Sequence, residues 1–308
     1  RDLLDEVHSG ALARIRSDFD PGYADRGKLV ANFGELRTLD DTPGALIETG
    51  FFDNLAAPAT RRMSDNQALH DPRWREAFAY GVAGGLARFL TPGSGPPPSR
   101  AEGLAAENQA DGSLLVSWWP SESADGYRLY AARNGRAFDE GVVVTGTSLS
   151  LDALDSGAVY AFRVAAMNSN GEGFPSAAVA ARVRGPSDDA QPAQALLVSA
   201  YDRRDAWVQE RDNDLSYAVE HADALGAISG LYFDGAVEAR VADDSVPLAS
   251  YALVDFAAGK DSVEHEPVSK AMQGRLRSYV EAGGRLLLSG EEVGYALVQA
   301  SDDADDES

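Results

Sequence analysis

Two stretches rich in proline and glycine, 91–99 and 185–192, cut this 308-residue chain into three segments whose apolar residues follow three different spacings. Such residues end helices and extend the backbone, so both stretches are expected to be linkers. Ahead of the first, Leu4, Ala11, Leu12, Ile15 and Phe19 recur every three to four positions, as do Trp74, Phe78, Val82, Leu86 and Phe89. That spacing predicts helices over 3–19 and 72–90, each with one apolar face. Asp71 and Pro72 make a good start for the second, as cap and first helical residue. Between the linkers, apolar and polar residues alternate and are punctuated by turns, the pattern of an antiparallel sandwich. From Ala193 onward strands alternate with helices, which implies right-handed βαβ units and a parallel sheet open at its strand ends. The chain is therefore expected to be multidomain, with domains at 1–90, 100–184 and 193–308.

Charge and cysteine content narrow the function classes. The formal net charge is −22, so nucleic acid is not expected as a partner, and the acidity reads as a solvated surface. With no cysteine, the chain has no disulfide, thiol nucleophile or cysteine-ligated metal. No apolar run is long enough to span a bilayer.

The residues Pro43-Gly44-Ala45-Leu46-Ile47-Glu48-Thr49-Gly50-Phe51-Phe52-Asp53-Asn54 carry the main candidate chemistry. Ala45 to Ile47 predicts a short buried strand that delivers Glu48 at its end, with Gly50 suited to a turn. A carboxylate placed there is costly unless something uses or pairs it. Upstream stand Asp25-Arg26-Gly27 and Ala31-Asn32-Phe33-Gly34-Glu35-Leu36-Arg37. In this order the motifs resemble the C-terminal part of the zinc-dependent N-acetylmuramoyl-L-alanine amidases. There an aspartate-arginine-glycine turn and a short strand ending in Leu-Arg precede a strand ending in glutamate, followed by Gly-Phe and an Asn. The helix over 72–90 matches that fold's closing helix.

The resemblance implies a partial α/β amidase domain with Glu48 as general base. It also implies one zinc held by two histidines and a glutamate, and hydrolysis of the peptidoglycan amide that joins the lactyl group to L-alanine. In that family the zinc ligands precede the helix seen here at 3–19, so they are expected upstream of Arg1. The chain is then expected to be a fragment, inactive alone, of a secreted, periplasmic or cell-surface hydrolase. His8, His70, His221 and His265 lie far apart, form no HExxH cluster, and read as surface or helix-end residues. The alternative is a non-catalytic envelope protein, binding the wall or another surface polysaccharide, with a remnant amidase domain.

The middle segment resembles a fibronectin type III domain throughout. Leu114 to Trp118 reads as the strand carrying a buried tryptophan, and Gly126 to Tyr130 as the next strand. Leu154, Gly157 and Tyr160 stand where that family places its leucine and tyrosine corner, ahead of the strand over 160–166. Asn168, Gly171, Gly173 and Ser176 complete the turn before a last strand near 179–183. Such sandwiches serve as spacers or binding modules. Trp119 and Phe138 would form a sugar-binding platform if exposed, but packing is the expected role.

The third segment offers strands over 195–200, 251–256 and 285–290, and helices around Tyr217 to Leu225 and Met272 to Val280. It resembles the class I glutamine amidotransferase-like, flavodoxin-like domains. The strand ends would carry Asp202, Gly259 to Ser262, and Gly290 to Glu292. Where those enzymes place a nucleophilic cysteine the chain reads Ser289-Gly290-Glu291-Glu292, which removes amidotransferase chemistry. Neither Ser262 nor Ser289 lies in a G-x-S-x-G elbow, so a serine triad is not expected. The acidic residues 301–308 read as a disordered tail or surface loop.

Overall fold

In the computed structural model, which describes residues 2–29, 32–37, 39, 41–58, 61, 63–135, 137–185, 193–205, 207–208 and 217–298, the Asp2 carboxylate accepts the Leu4 amide and starts helix α1 (Leu3–Asp18). Ser64 and Gln67 form a reciprocal capping box for the short α2 (Asp65–His70). Asp71 caps α3 (Pro72–Leu90) through the Arg73 amide, with Pro72 at the first turn. Contacts divide the chain into two compact units, Arg1–Pro98 with Asn168–Glu172 and Arg204–Glu210, and the remainder. The sequence expectations for the residues at 186–192 and 301–308 lie outside the described residues.

In the first unit α1 packs on α3 through glycine, not through the apolar face that spacing suggests. Pro72, Trp74, Ala77, Tyr80, Gly81, Gly84 and Gly85 are the buried residues of α3, whereas Leu86 is exposed and Val82 and Phe89 only half-buried. A Cβ at Gly81 would lie 2.5 Å from the Ala11 Cα, and one at Gly10 would lie 2.4 Å from the Gly81 carbonyl oxygen. The two backbones touch, so no side chain fits between them. Arg88 Nε, 2.9 Å from Glu6 Oε2, ties the far end of the crossing. Below it Ile15, Tyr23, Ala68, Trp74 and Ala77 form a small core, with Trp74 stacked on Phe78.

Two expected strands of this unit are absent. Residues 43–50 have no regular structure, with Leu46 and Ile47 about two-fifths exposed (40% and 39%), and Gly34–Leu36 is a single 3₁₀ turn. A strand needs a partner for its backbone groups, and the described residues of this unit up to Pro98 hold no strand to pair with.

After Pro98 come the sandwich strands β1 (Ala105–Asn108), β2 (Leu114–Ser117), β3 (Gly126–Arg133), β4 (Val142–Val144), β5 (Ser148–Leu151), β6 (Val159–Asn168), β7 (Gly171–Glu172) and β8 (Val179–Arg182), all in the second unit except β7 and the last residue of β6. Strands β1, β2 and β5 form one layer, and β4, β3, β6 and β8 face them across a core containing Trp118, Phe162, Val164 and Val179. Then follow β9 (Ala195–Ser199), α4 (Tyr217–Gly226), β10 (Phe233–Val237), α5 (Glu238–Ala242), β11 (Leu253–Ala257), α6 (Lys270–Glu281) and β12 (Arg285–Ser289). Strands β10, β9, β11 and β12 are parallel neighbours, with helices between them in sequence.

The sandwich layer β1-β2-β5 and the parallel strands are one sheet. Strand β1 pairs antiparallel with β10, giving one seven-stranded sheet of order β12-β11-β9-β10-β1-β2-β5. Asn108 secures the join: its side chain donates to the Asp234 carboxylate (2.8 Å) and the Arg182 carbonyl (3.1 Å) and accepts the Arg184 amide (2.7 Å). Gly235 lets β8 pass directly over β10, since a Cβ there would lie 2.1 Å from the Ala180 carbonyl oxygen.

Candidate functional site

The first unit holds a cavity of about 500 Å3 between the apolar side of α1 and the segments that carry the two sequence motifs. Leu4, Leu12 and Ile15 come from α1, Asp25-Arg26-Gly27 from the turn after it, and Leu46 to Phe51 from the irregular segment. Without ladder bonds, side chains hold that segment. Tyr23 donates its hydroxyl to the Thr49 carbonyl at 2.8 Å. The Asp65 carboxylate accepts the Phe51 amide at 3.2 Å and the Asn54 side chain at 3.3 Å, and Asn66 donates to the Phe52 carbonyl at 2.7 Å.

Glu48 therefore reaches the cavity rim from a tethered loop and not from a strand end. Its side chain is 60% exposed and stands 3.6 Å from Arg26 Nη1, so the expectation of a buried carboxylate is corrected. Arg26 also lies over the Phe51 ring, 5.2 Å from its centroid. Beside them the Gly27 amide, with help from His8, holds the Asp25 carboxyl below its usual pKa despite some burial. Burial pushes Asp65 up, but bonds from Arg61, Phe51 and Asn54 bring it below its usual value. Arg61 forms the wall, its side chain 4% exposed, paired with Asp65 and lying over the Tyr23 ring.

The zinc that the family resemblance implies does not fit the residues present. Among the described residues no three His, Cys, Asp or Glu side chains could hold a metal ion. Each histidine ring already has another neighbour: His8 meets Asp25, His70 the Asn66 carbonyl, His221 Asp255, and His265 the Ser262 hydroxyl.

In the sandwich, Trp118 is buried against Tyr127, ring edge to face, and the Tyr160 hydroxyl reaches back to accept the Asp155 amide at 3.3 Å. Leu154 packs on the same core. The family model for the fibronectin type III domain matches residues 96–182. Residues 96–182 form a fibronectin type III domain. Over 86 residues the chain is 36% identical to neogenin of Rattus norvegicus, covering 25% of this chain and 6% of neogenin's length. Similar solved structures include the FN5 domain of Drosophila Lar (25% identity, 29% of this chain and 98% of that chain, TM-score 0.25). Another is a Fn3-like protein from Clostridium thermocellum (19% identity, 27% and 88%, TM-score 0.23). Within the fibronectin type III domain Trp119 and Phe138 are both half-buried, and Phe138 packs on a core cluster with the Arg163 guanidinium 4.2 Å from its ring centroid.

Beyond the fibronectin type III domain, the strand ends of the parallel region converge as the βαβ reading expects. The Val263 amide donates to Glu292 at 2.9 Å and the Glu291 amide to the Gly259 carbonyl at 2.8 Å. Between β9 and β11, Asp261 accepts the backbone amides of Arg203 and Asp202. Burial pushes the Asp261 carboxyl up to about 7, with the charges of Asp202 and Glu238 adding to it. Burial also raises Asp202 and Glu238.

The native state thus holds the Asp261 proton more tightly than the unfolded chain. Stability from this group is full below the ordinary carboxylate pKa near 4 and is lost as pH rises through about 7. Asp261→Asn is expected to flatten that fall, so its melting temperature should drop less than wild type's between about pH 5 and about pH 8. Parallel melting curves at the two pH values check this, and equal drops would refute it.

Proposed function

We propose that residues 1–90 are the C-terminal part of the catalytic domain of a cell-wall hydrolase, an N-acetylmuramoyl-L-alanine amidase, with Glu48 as general base. The observation that supports this most is that two motifs about twenty residues apart, 25–27 and 46–51, line one cavity with Glu48 on its rim. Glu48 would take the proton of the attacking water and return it to the leaving amino nitrogen of L-alanine. Arg26 on the rim and Arg61 in the wall suit a ligand with carboxylates, such as a stem peptide. Arg61 Nη2 is buried and has no hydrogen-bond partner among the described residues. No step is assigned to zinc, whose donors are not among these residues.

In this reading the fibronectin type III domain is a spacer or wall-binding module. The parallel-sheet region is a glutamine amidotransferase-like, flavodoxin-like accessory without amidotransferase chemistry. The protein works outside the cytoplasm, in secreted, periplasmic or cell-surface form, on peptidoglycan. The exposed Arg26–Glu48 pair equally suits a second reading, a non-catalytic wall- or polysaccharide-binding protein. The protein expressed from its complete reading frame, supplied with zinc, is expected to release stem peptides from purified peptidoglycan. Glu48→Gln should cut release about 100-fold or more while wall binding persists. Unchanged release in Glu48→Gln would remove Glu48 from the mechanism, and wall retention without release would favour the second reading.

A further inference from the structure

Three polar side chains that no local motif links meet on one face of the parallel sheet in the second unit. Asp255 lies in the middle of β11, Ser289 is the last residue of β12, and His221 sits on α4. Strand register sets Asp255 opposite Leu197 and Leu287, and Ser289 opposite Ala257. Since side chains alternate along a strand, Asp255, Ala257, Leu287 and Ser289 all point to the same face. That is the face α4 covers, because Leu197 and Ala257 share a core cluster with Ala222 and Leu225 of α4.

His221 bridges the other two. Its Nδ1 is 2.9 Å from Asp255 Oδ2 and its Nε2 is 3.4 Å from Ser289 Oγ. The Asp255 side chain is 3% exposed and the His221 side chain 23%. A carboxylate beside Nδ1 selects the tautomer with its proton there, which leaves the Nε2 lone pair facing the serine hydroxyl. The Asp255 hydrogen bond raises the His221 pKa against the effect of burial, with the charges of Asp255 and Glu220 adding to it. That helps the ring hold a second proton. Ser289 is half-exposed on β12, the edge strand of the sheet, and Leu287 on the same face is 51% exposed. The strand then turns at Gly290 into a short helix at 293–298. The order is nucleophile at a strand end, base on a covering helix, and buried carboxylate on the neighbouring strand.

We propose that Ser289, His221 and Asp255 are the nucleophile, general base and orienting carboxylate of a serine hydrolase site acting on short-chain carboxylic esters. Ser289 Oγ attacks the ester carbonyl carbon while His221 Nε2 takes the hydroxyl proton. The carbon–oxygen bond to the alcohol breaks, and His221 returns its proton to the departing alkoxide, leaving an acyl-serine. Water then attacks that carbonyl with His221 again accepting a proton, and the acid departs as Ser289 regains its hydrogen. An ester fits because its alkoxide leaves with that single proton. Exposed Leu287 gives a short acyl chain an apolar contact.

The site is independent of Glu48 and the cavity in the first unit. It is tested by treating the 308-residue protein with a fluorophosphonate probe and, separately, with p-nitrophenyl acetate and butyrate. Mass spectrometry should find the probe on the peptide carrying Ser289, and ester hydrolysis should fall about 100-fold or more in Ser289→Ala and Asp255→Asn. Ser289→Ala changes one half-exposed hydroxyl, so its melting curve should match wild type and loss of activity would not report misfolding. A folded wild type that takes no label at Ser289, or hydrolysis unchanged in Ser289→Ala, overturns the proposal. In either case the trio would be a structural clasp for the buried Asp255.

Discussion

Gly235→Val is expected to abolish cooperative folding of the whole second unit. A side chain at this position points at the β8 backbone, where a Cβ would lie 2.1 Å from the Ala180 carbonyl oxygen and 2.9 Å from the Ala180 carbonyl carbon. No rotamer escapes a clash at Cβ itself, so β8 and β10 must separate. Overpacking costs roughly 1–3 kcal/mol where side chains can give, and more is expected where the obstacle is backbone. Domains are stable by only about 5–15 kcal/mol, and here the damage falls on the join between two layers. Since β1 pairs with β10, the fibronectin type III domain should lose protection together with the parallel strands. Hydrogen exchange on β1, β2 and β9 would show this. A variant in which β1 and β2 stay protected while β9 opens would mean that the sandwich is stable by itself.

In the first unit, Gly81→Leu is expected to separate α1 from α3. In an exposed helix the replacement of glycine gains about 1 kcal/mol of propensity. At Gly81 the gain is outweighed, because a Cβ would lie 2.5 Å from the Ala11 Cα and 2.6 Å from the Gly10 carbonyl oxygen. Even Gly81→Ala should destabilise, and leucine should do so by about 3 kcal/mol or more. Trp74, buried and stacked on Phe78, reports the change by its fluorescence in a urea titration. Gly274→Ala is the matched control, since nothing lies within 4 Å of a Cβ there on α6, and it should be neutral or stabilising. Equal effects at the two sites would show that α1 and α3 do not rely on close contact.

What could be read from the sequence follows the range of the forces involved. Local signals were sufficient for Asp71-Pro72 at the start of α3, and for the alternation around Trp118 and Tyr160 in the fibronectin type III domain. They also sufficed for the buried runs of β9 and β11. Strand β10 escaped notice because Phe233-Asp234-Gly235-Ala236-Val237 places an acid and a glycine where a strand pattern wants apolar residues. Both have long-range reasons, since Asp234 is bonded by Asn108 and Tyr251 and Gly235 admits β8. The apolar residues Val82, Leu86 and Phe89 misdirected the facing of α3, because the packing surface is made of glycine and alanine, which a hydrophobic pattern underweights.

At Glu48 the expected end of a buried strand is an exposed loop on a cavity rim, because strand formation depends on a partner that local sequence does not reveal. His221, Asp255 and Ser289 stand 34 residues apart in turn, so only the strand order brings them together.

The most direct test of the amidase reading is the chemistry of what purified peptidoglycan releases when treated with the complete gene product and zinc. Mass spectrometry should find peptides beginning with a free L-alanine amine and glycan strands that keep their lactyl carboxylate, both lost in Glu48→Gln. Wall-bound protein with no such products, or release that persists at the wild-type rate in Glu48→Gln, would contradict it.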